Sequence, residues 1–545
     1  MKHLIIIFSF LLFSCSQKQQ EVDFIYFNGN IITMNDSMPE AEVIIINDQK
    51  IIQIGDASLL SKFICKKENL IDLKKQFVYP GFIDAHCHFY GYAKTLLNCD
   101  LVGTKSWDEV LNRLKTFSDN SESEWLIGRG WDQNDWQNQT FPENSKLNEL
   151  FPNQPVILQR IDGHAAICNN KALEIAGINA QSQIAGGEII LKNNIPTGVL
   201  LDNAVDLVKQ FVKPHHKNDI IRALKQAEKN CFESGLTSLA DAGLDIETAL
   251  FLDSLYQQKD LSISQYIMLN PTENGLLYAQ EKGEYETDFL KICSFKLYAD
   301  GALGSRGAKL KNDYCDRDQH SGLLLNSRDY FEKWCSDISK TTYQVNTHCI
   351  GDSANRLLLE IYGQFLKGKN DQRWRIEHAQ VIDPNDFDMF AKYSIIPSVQ
   401  PTHATSDGPW VEHRLCKHRL KGAYAYQTLL NQNGYIPLGT DFPVEGIQPL
   451  NTYYSAVFRA DINDKNNTQY LADEKLNPLD ALKGMTVWAA KSCRLEHKKG
   501  QLKAGWDADF VVLSQNILLS NADDFKQTKV LRTVARGKTV FPTNP

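Results

Sequence analysis

The sequence lacks the signatures of several large enzyme classes. It contains no H-E-x-x-H and no G-x-S-x-G, so neither the helical zinc motif of metalloproteases nor the serine elbow of α/β-hydrolases is present. Its Gly-Lys-Thr, Gly537 to Thr539, has Arg532 where a phosphate loop needs glycine, and it lies in a hairpin pattern. A phosphate loop leads into a helix, so this tripeptide reads as a turn. The 12 cysteines include no C-x-x-C pair and show no regular spacing. A chain of 545 residues needs no disulfide scaffold, so most cysteines are expected as small buried hydrophobes. An occasional disulfide stays open. There is no basic stripe with interleaved aromatics, and the formal net charge is −8, which argues against a nucleic-acid partner. Low-complexity segments and short-period repeats are absent as well.

Long apolar runs are also missing, apart from Leu4 to Phe13. That run is short for a bilayer span, follows a basic start and precedes a small residue, the pattern of a secretory signal. "LFSC" followed by the polar "SQKQQ" resembles a bacterial lipobox, so Cys15 is expected to carry lipid. Residues 1–15 then form the signal and 16–22 a polar tether. The expected location is outside the cytoplasm, anchored by lipid to a bacterial membrane and facing the periplasm.

What remains has an ordinary globular composition, 43% hydrophobic and 23% charged. Short runs of alternating Val, Ile and Phe, such as "DFIYFNGNIITM" and "AEVIIINDQKIIQIG", occupy residues 23–79. Similar runs, "GWDADFVVLSQN" and "VLRTVARGKTVF", recur in residues 495–545. Two β-rich ends suggest one small sheet domain built from both termini. Between them, residues 80–494 repeat a strand, a polar loop and an amphipathic helix, the texture of a (β/α)8 barrel. About 200 residues separate His88 from Lys296, whereas three βα units of roughly 30 residues need about 90. The surplus predicts an insertion subdomain over about 105–230.

Several chemistry-bearing residues end strand-like runs. In "VYPGFIDAHCHF", strand alternation puts His86 and His88 on one face and turns Cys87 away. His348 ends "YQVNTH", His378 ends "RWRIEH", and Asp441 ends "GYIPLGTD". In a barrel such positions converge at one mouth. Four imidazoles and a carboxylate suit Zn²⁺ or a similar first-row ion. Each histidine alone is more simply a hydrogen-bonded strand end, but five residues at equivalent positions are not easily dismissed. Lys296 stands within the apolar strand "SFKLYADG". A lysine buried beside metals becomes a free amine and can take up CO₂ as a bridging carbamate; a snorkelling or ion-paired lysine is the alternative.

The ordered set "PGFIDAHCH", "FKLYADGALGSR", "VNTHCIGD", "RIEHAQ" and "GTDFPVE" resembles the amidohydrolase superfamily. "GRGWDQNDW", "RIDGHAAICNNKAL" and "PSVQPTHATSDGPWVEHRL" are similar to its YtcJ-like branch, which is related to N-substituted formamide deformylase. The match runs from Asp23 to the C-terminus. The resemblance implies an α/β fold, a (β/α)8 barrel with an insertion and a β-sandwich from both chain ends. It implies two divalent metal ions, with zinc the first candidate. His86 and His88 hold one, His348 and His378 the other, carboxylated Lys296 bridges them, and Asp441 is both ligand and proton shuttle. Trp131 and His164 fall on motifs of the insertion that covers the mouth. With Arg306 and His403 they are the substrate-binding candidates. The implied activity is hydrolysis of a small-molecule amide-type bond, with the oligomeric state open. The rival readings are a one-metal deaminase and a lipid-anchored binding protein without turnover.

Overall fold

The computed structural model describes residues 19–119, 124–213 and 215–542. Cys15, the signal segment and most of the expected tether lie outside the described residues. The central sheet holds seven parallel strands: β1 (Phe82–Cys87), β2 (Leu236–Leu244), β3 (Ser264–Leu269), β4 (Leu290–Tyr298), β5 (Gln344–Cys349), β6 (Arg375–His378) and β7 (Ile396–Ser398). Their residues are almost all buried, and the run of Val, Ile, Leu and Phe along them is what a sheet covered on both faces requires. Residues 436–441 close the ring. Gly439 N–H donates to Val399 O at 3.0 Å on one side, and Ala85 N–H donates to Leu438 O at 3.1 Å on the other. A β-carbon on Gly439 would come within 2.6 Å of His86 N, so only glycine lets this eighth segment lie against β1. The result is the expected (β/α)8 barrel.

The two chain ends interleave. Phe510–Leu513 pairs antiparallel with Phe77–Pro80 inside a six-stranded sheet. A four-stranded sheet containing Phe24–Phe27 and Val43–Asn47 packs on it through Tyr26, Ile44, Ile46, Val78, Phe510 and Val534. This is the sandwich expected from the composition of the termini. It begins earlier than expected: Gln20–Glu21, inside the segment read as tether, pairs in parallel with Phe63–Ile64.

The insertion between β1 and β2 is a six-stranded sheet that starts at Cys99–Asp100. Its last helix, Asn203–Lys209, is followed by Lys217–Glu233, whose Ala223, Leu224, Ala227 and Cys231 pack into the barrel's outer core. The subdomain is therefore shifted towards the N-terminus relative to the expected 105–230. Trp131, expected in the substrate pocket, is a core residue of this subdomain. It is fully buried against Trp136 and Leu147, and its indole N–H donates to Leu158 O at 2.8 Å. The Gly-rich "GRGWD" motif suggests a functional tryptophan, but packing explains it.

Replacing Trp131 by alanine removes a buried indole and leaves a cavity, at a cost of about 3–5 kcal/mol. Hydrogen exchange should show residues 99–209 losing protection while the barrel strands keep theirs. Equal loss in both regions would show that the insertion does not unfold as a unit.

Candidate metal centre and active site

The C-terminal ends of β1, β4, β5, β6 and the closing segment deliver five of the expected side chains to one place, and His88 follows directly after β1. The ring centroids of His86 and His378 are 4.9 Å apart, those of His378 and His348 4.6 Å, and those of His86 and His88 5.5 Å. Lys296 Nζ lies 3.0 Å from His86 Nε2. Asp441 Oδ1 lies 3.2 Å from His88 Nε2 and 3.6 Å from His86 Nε2. Two of these residues adopt the left-handed backbone region, His378 at φ 74° and Asp441 at φ 63°. Non-glycine residues rarely do so, and such strain gathers at functional sites. Simple alternation along β1 is not kept. The register against β2 shifts between Asp84 and Cys87, which lets His86 and His88 both reach Asp441. Cys87 still turns outward, as expected, into the core between strands and helices.

The second ring nitrogens fix the tautomers. His86 Nδ1 donates to Glu377 Oε2 at 2.5 Å, His88 Nδ1 to Ala242 O at 2.9 Å, and His378 Nδ1 to Gln400 Oε1 at 2.7 Å. For His86 and His378 this leaves Nε2 as a lone pair pointing into the site, the arrangement found behind metal-bound histidines. Electrostatics agree. Burial, reinforced by Lys296, pushes His86 down to about 4. Burial and the neighbouring imidazoles keep His348 and His378 well below the usual histidine range. Burial likewise lowers Lys296 to about 8. For Asp441, burial opposes the charge, but His403 and His88 outweigh it and hold the carboxyl ionised. The buried Asp441 Oδ1 and His348 Nε2 have no hydrogen-bond partner among the described residues, and orphaned atoms of this kind need an explanation. Free-base imidazoles around an ionised carboxylate fit a divalent first-row ion.

Two sets of donor atoms lie within 4.8 Å of one another, His86–His88–Asp441 and His378–His403–Asp441. His403, expected on the substrate, thus stands beside His378, with its Nε2 3.2 Å from Asp441 Oδ2 and its Nδ1 3.2 Å from Glu445. His348 is outside the compact second set; its Nε2 lies 3.7 Å from Asp300 Oδ1. His164 comes from the insertion. Its ring is 5.2 Å from that of His348, and its Nδ1 donates to Asp202 at 2.8 Å. Arg306 is not brought to the histidines by any described contact. It pairs with Asp316 at 2.9 Å, and Asp316 also binds Arg414. The loop holding Asp316 is tied to the segment after β7 by a Cys315–Cys416 disulfide, which cysteine spacing did not reveal.

Sequence reasoning missed Glu377, Gln400 and Asp300. Glu377 had a usable signal: Arg375 and Glu377 sit two apart in a four-residue buried strand, a charge pair with nowhere to go but each other.

Comparisons with known proteins follow the same lines. The chain is 31% identical to Protein LONG AFTER FAR-RED 3 of Arabidopsis thaliana, covering 95% of this chain and 92% of that one. It is 30% identical to the putative amidohydrolase YtcJ of Bacillus subtilis, over 95% and 99% of the two chains. It is 24% identical to the N-substituted formamide deformylase of Arthrobacter pascens, over 94% and 97%. Among solved structures, an uncharacterized metal-dependent hydrolase from Pyrococcus horikoshii superposes with a TM-score of 0.73 at 25% identity, over 92% and 99% of the chains. Residues 69–541 match the amidohydrolase family, and the chain belongs to that family.

Proposed function

We propose that this hydrolase cleaves a carbon–nitrogen bond of amide type, other than a peptide bond, in a small molecule. The observation that carries the reading is the buried Lys296 amine 3.0 Å from His86 Nε2, beside the free-base imidazoles of His86, His348 and His378 and one ionised carboxylate. His86, His88 and Asp441 would hold one divalent ion, zinc first among the candidates. His378 and His348 would hold a second, with His403 beside them, and carboxylated Lys296 would bridge the two. Bound there, the metal supplies Lewis acidity and hydroxide at neutral pH. Asp441, already ionised, takes the proton of the attacking water and passes it to the leaving nitrogen. A charged His403 donates to Asp441 Oδ2 and keeps the carboxylate aimed while it does so. Glu377 holds the His86 tautomer. The products are a carboxylate and an amine. The N-substituted formamide deformylase among the relatives supports an amide-type substrate.

The N-terminal reading belongs to the same proposal: Cys15 carries lipid and the enzyme works outside the cytoplasm. The Cys315–Cys416 disulfide supports an oxidising compartment.

Three measurements test this. Asp441→Asn should keep the circular dichroism of the native chain and lose about 10²- to 10⁴-fold in kcat on any amide the native enzyme turns over; near-native turnover would remove Asp441 from the proton path. Metal analysis of the zinc-loaded chain should find two ions, falling to one or none in Lys296→Ala. One ion in both proteins would favour the deaminase reading. Cys87→Ala should keep the full metal content, because its sulfur lies in the outer core, and Cys15→Ala should release the protein from membranes.

A further inference from the structure

Tyr298 offers the mouth of the barrel a hydroxyl that the fold does not use. It ends β4, two residues after Lys296, so both side chains leave the same face of the strand. Lys296 Nζ stands 5.2 Å from the centre of the phenol ring, and the ring of His348 lies 6.0 Å from it. The hydroxyl lies over the end of β2, where a β-carbon on Gly243 would come within 2.4 Å of it. The neighbouring Ala242 O is the acceptor that holds His88 Nδ1. Three distances on different strands therefore put this phenol over the candidate metal centre. Tyr298 is half-buried, and among the described residues its hydroxyl has no hydrogen-bond partner. A tyrosine enclosed this far usually finds one. The hydroxyl of Thr440, close by on the closing segment, is spent on Asp84 at 2.6 Å. Walling the site needs only a ring, and phenylalanine would supply it.

We propose that the Tyr298 hydroxyl donates to the carbonyl oxygen of the bound substrate and holds it more strongly as attack turns that oxygen into an oxyanion. The identity of the carbonyl rests on the amide-hydrolase reading above; the open donor beside the centre does not. The site is rich in acceptors: the free-base rings of His86, His348 and His378 and the carboxylate of Asp441. None of these can donate to an oxyanion. His403 can, but its two ring nitrogens are spent on Asp441 and Glu445 at 3.2 Å each. A phenol keeps its proton at neutral pH and can give it to a hydrogen bond. Donors fixed in place before the reaction are the ones that stabilise developing charge best. Tyr298 is carried on a central barrel strand and meets that condition.

Tyr298→Phe removes one oxygen and keeps the ring. Because the hydroxyl bonds nothing described in the fold, the Tm and the metal content of the zinc-loaded variant should match the native chain. A clear fall in Tm would show the hydroxyl working for the fold and would overturn the proposal. On an amide that the native enzyme hydrolyses, kcat should drop about 10²- to 10³-fold, the cost of one lost oxyanion donor, with KM little changed. Native kcat in the variant would overturn the role. So would a raised KM at native kcat, since that pattern marks a contact made equally in the ground and transition states. Calorimetry gives a readout without turnover. Dimethylphosphinate, a stable tetrahedral oxyanion, should bind zinc-loaded Tyr298→Phe about tenfold more weakly than the native protein, the size of one charge-assisted bond. If the native chain hydrolyses none of a wide amide panel but the variant still loses phosphinate affinity, the donor stands and the amide-hydrolase reading falls. If both proteins hydrolyse amides alike and bind phosphinate alike, the donor falls and the amide-hydrolase reading stands.

Discussion

The arrangement of the site depends on one buried carboxylate. Glu377 is fully enclosed, and it stays charged because Arg375 lies against it, Nε to Oε1 at 2.6 Å and Nη2 to Oε2 at 3.0 Å, with His86 on its other side. Burial works against the charge, but Arg375 and His86 together hold Glu377 well below the usual carboxylate range. A buried ion pair is weak evidence of stability, since desolvation takes back most of the attraction. Here it has a positional use. Arg375 Nη2 also donates to Ala85 O at 2.6 Å and to Ser398 Oγ at 2.8 Å. It thereby links β6 to β1 and β7 across the barrel interior. The carboxylate it anchors can only accept, so His86 must donate through Nδ1 and present Nε2 as a base. The protonation pattern of the candidate metal centre thus begins with an arginine that never faces it.

The second constraint is the closing segment. Backbone bonds tie it to β7 on one side and to β1 on the other, and it carries Asp441. Asp84 reinforces the join. Its buried carboxylate accepts from Thr440 N–H at 3.0 Å and Thr440 Oγ1–H at 2.6 Å, and also from His86 N–H at 3.1 Å. One side chain therefore clamps β1 to the segment just where their functional residues emerge. Asp441 N–H then donates to His86 O at 2.8 Å. The left-handed backbone at Asp441 costs about 1–3 kcal/mol and persists only because these contacts over-determine it.

Much of this was legible in the sequence, and the limits have physical reasons. The barrel and the sandwich followed from alternating strand runs, which depend on burial period alone. Convergence of His86, His88, Lys296, His348, His378 and Asp441 followed from strand-end position, a property of barrel topology. Trp131 misled because a motif rich in glycine and aromatics looks alike whether it lines a pocket or fills a core. His403 was recognisable as a motif residue, but its closeness to Asp441 depends on how the helix Pro401–Ser406 leaves β7. The disulfide was invisible because 101 residues separate its cysteines.

The charge layout of the mouth follows from these same enclosures. Near β1, β5 and β6, burial keeps His86, His348 and His378 as free bases, leaving lone pairs that suit a cation, and it brings the Lys296 ammonium close to giving up its proton.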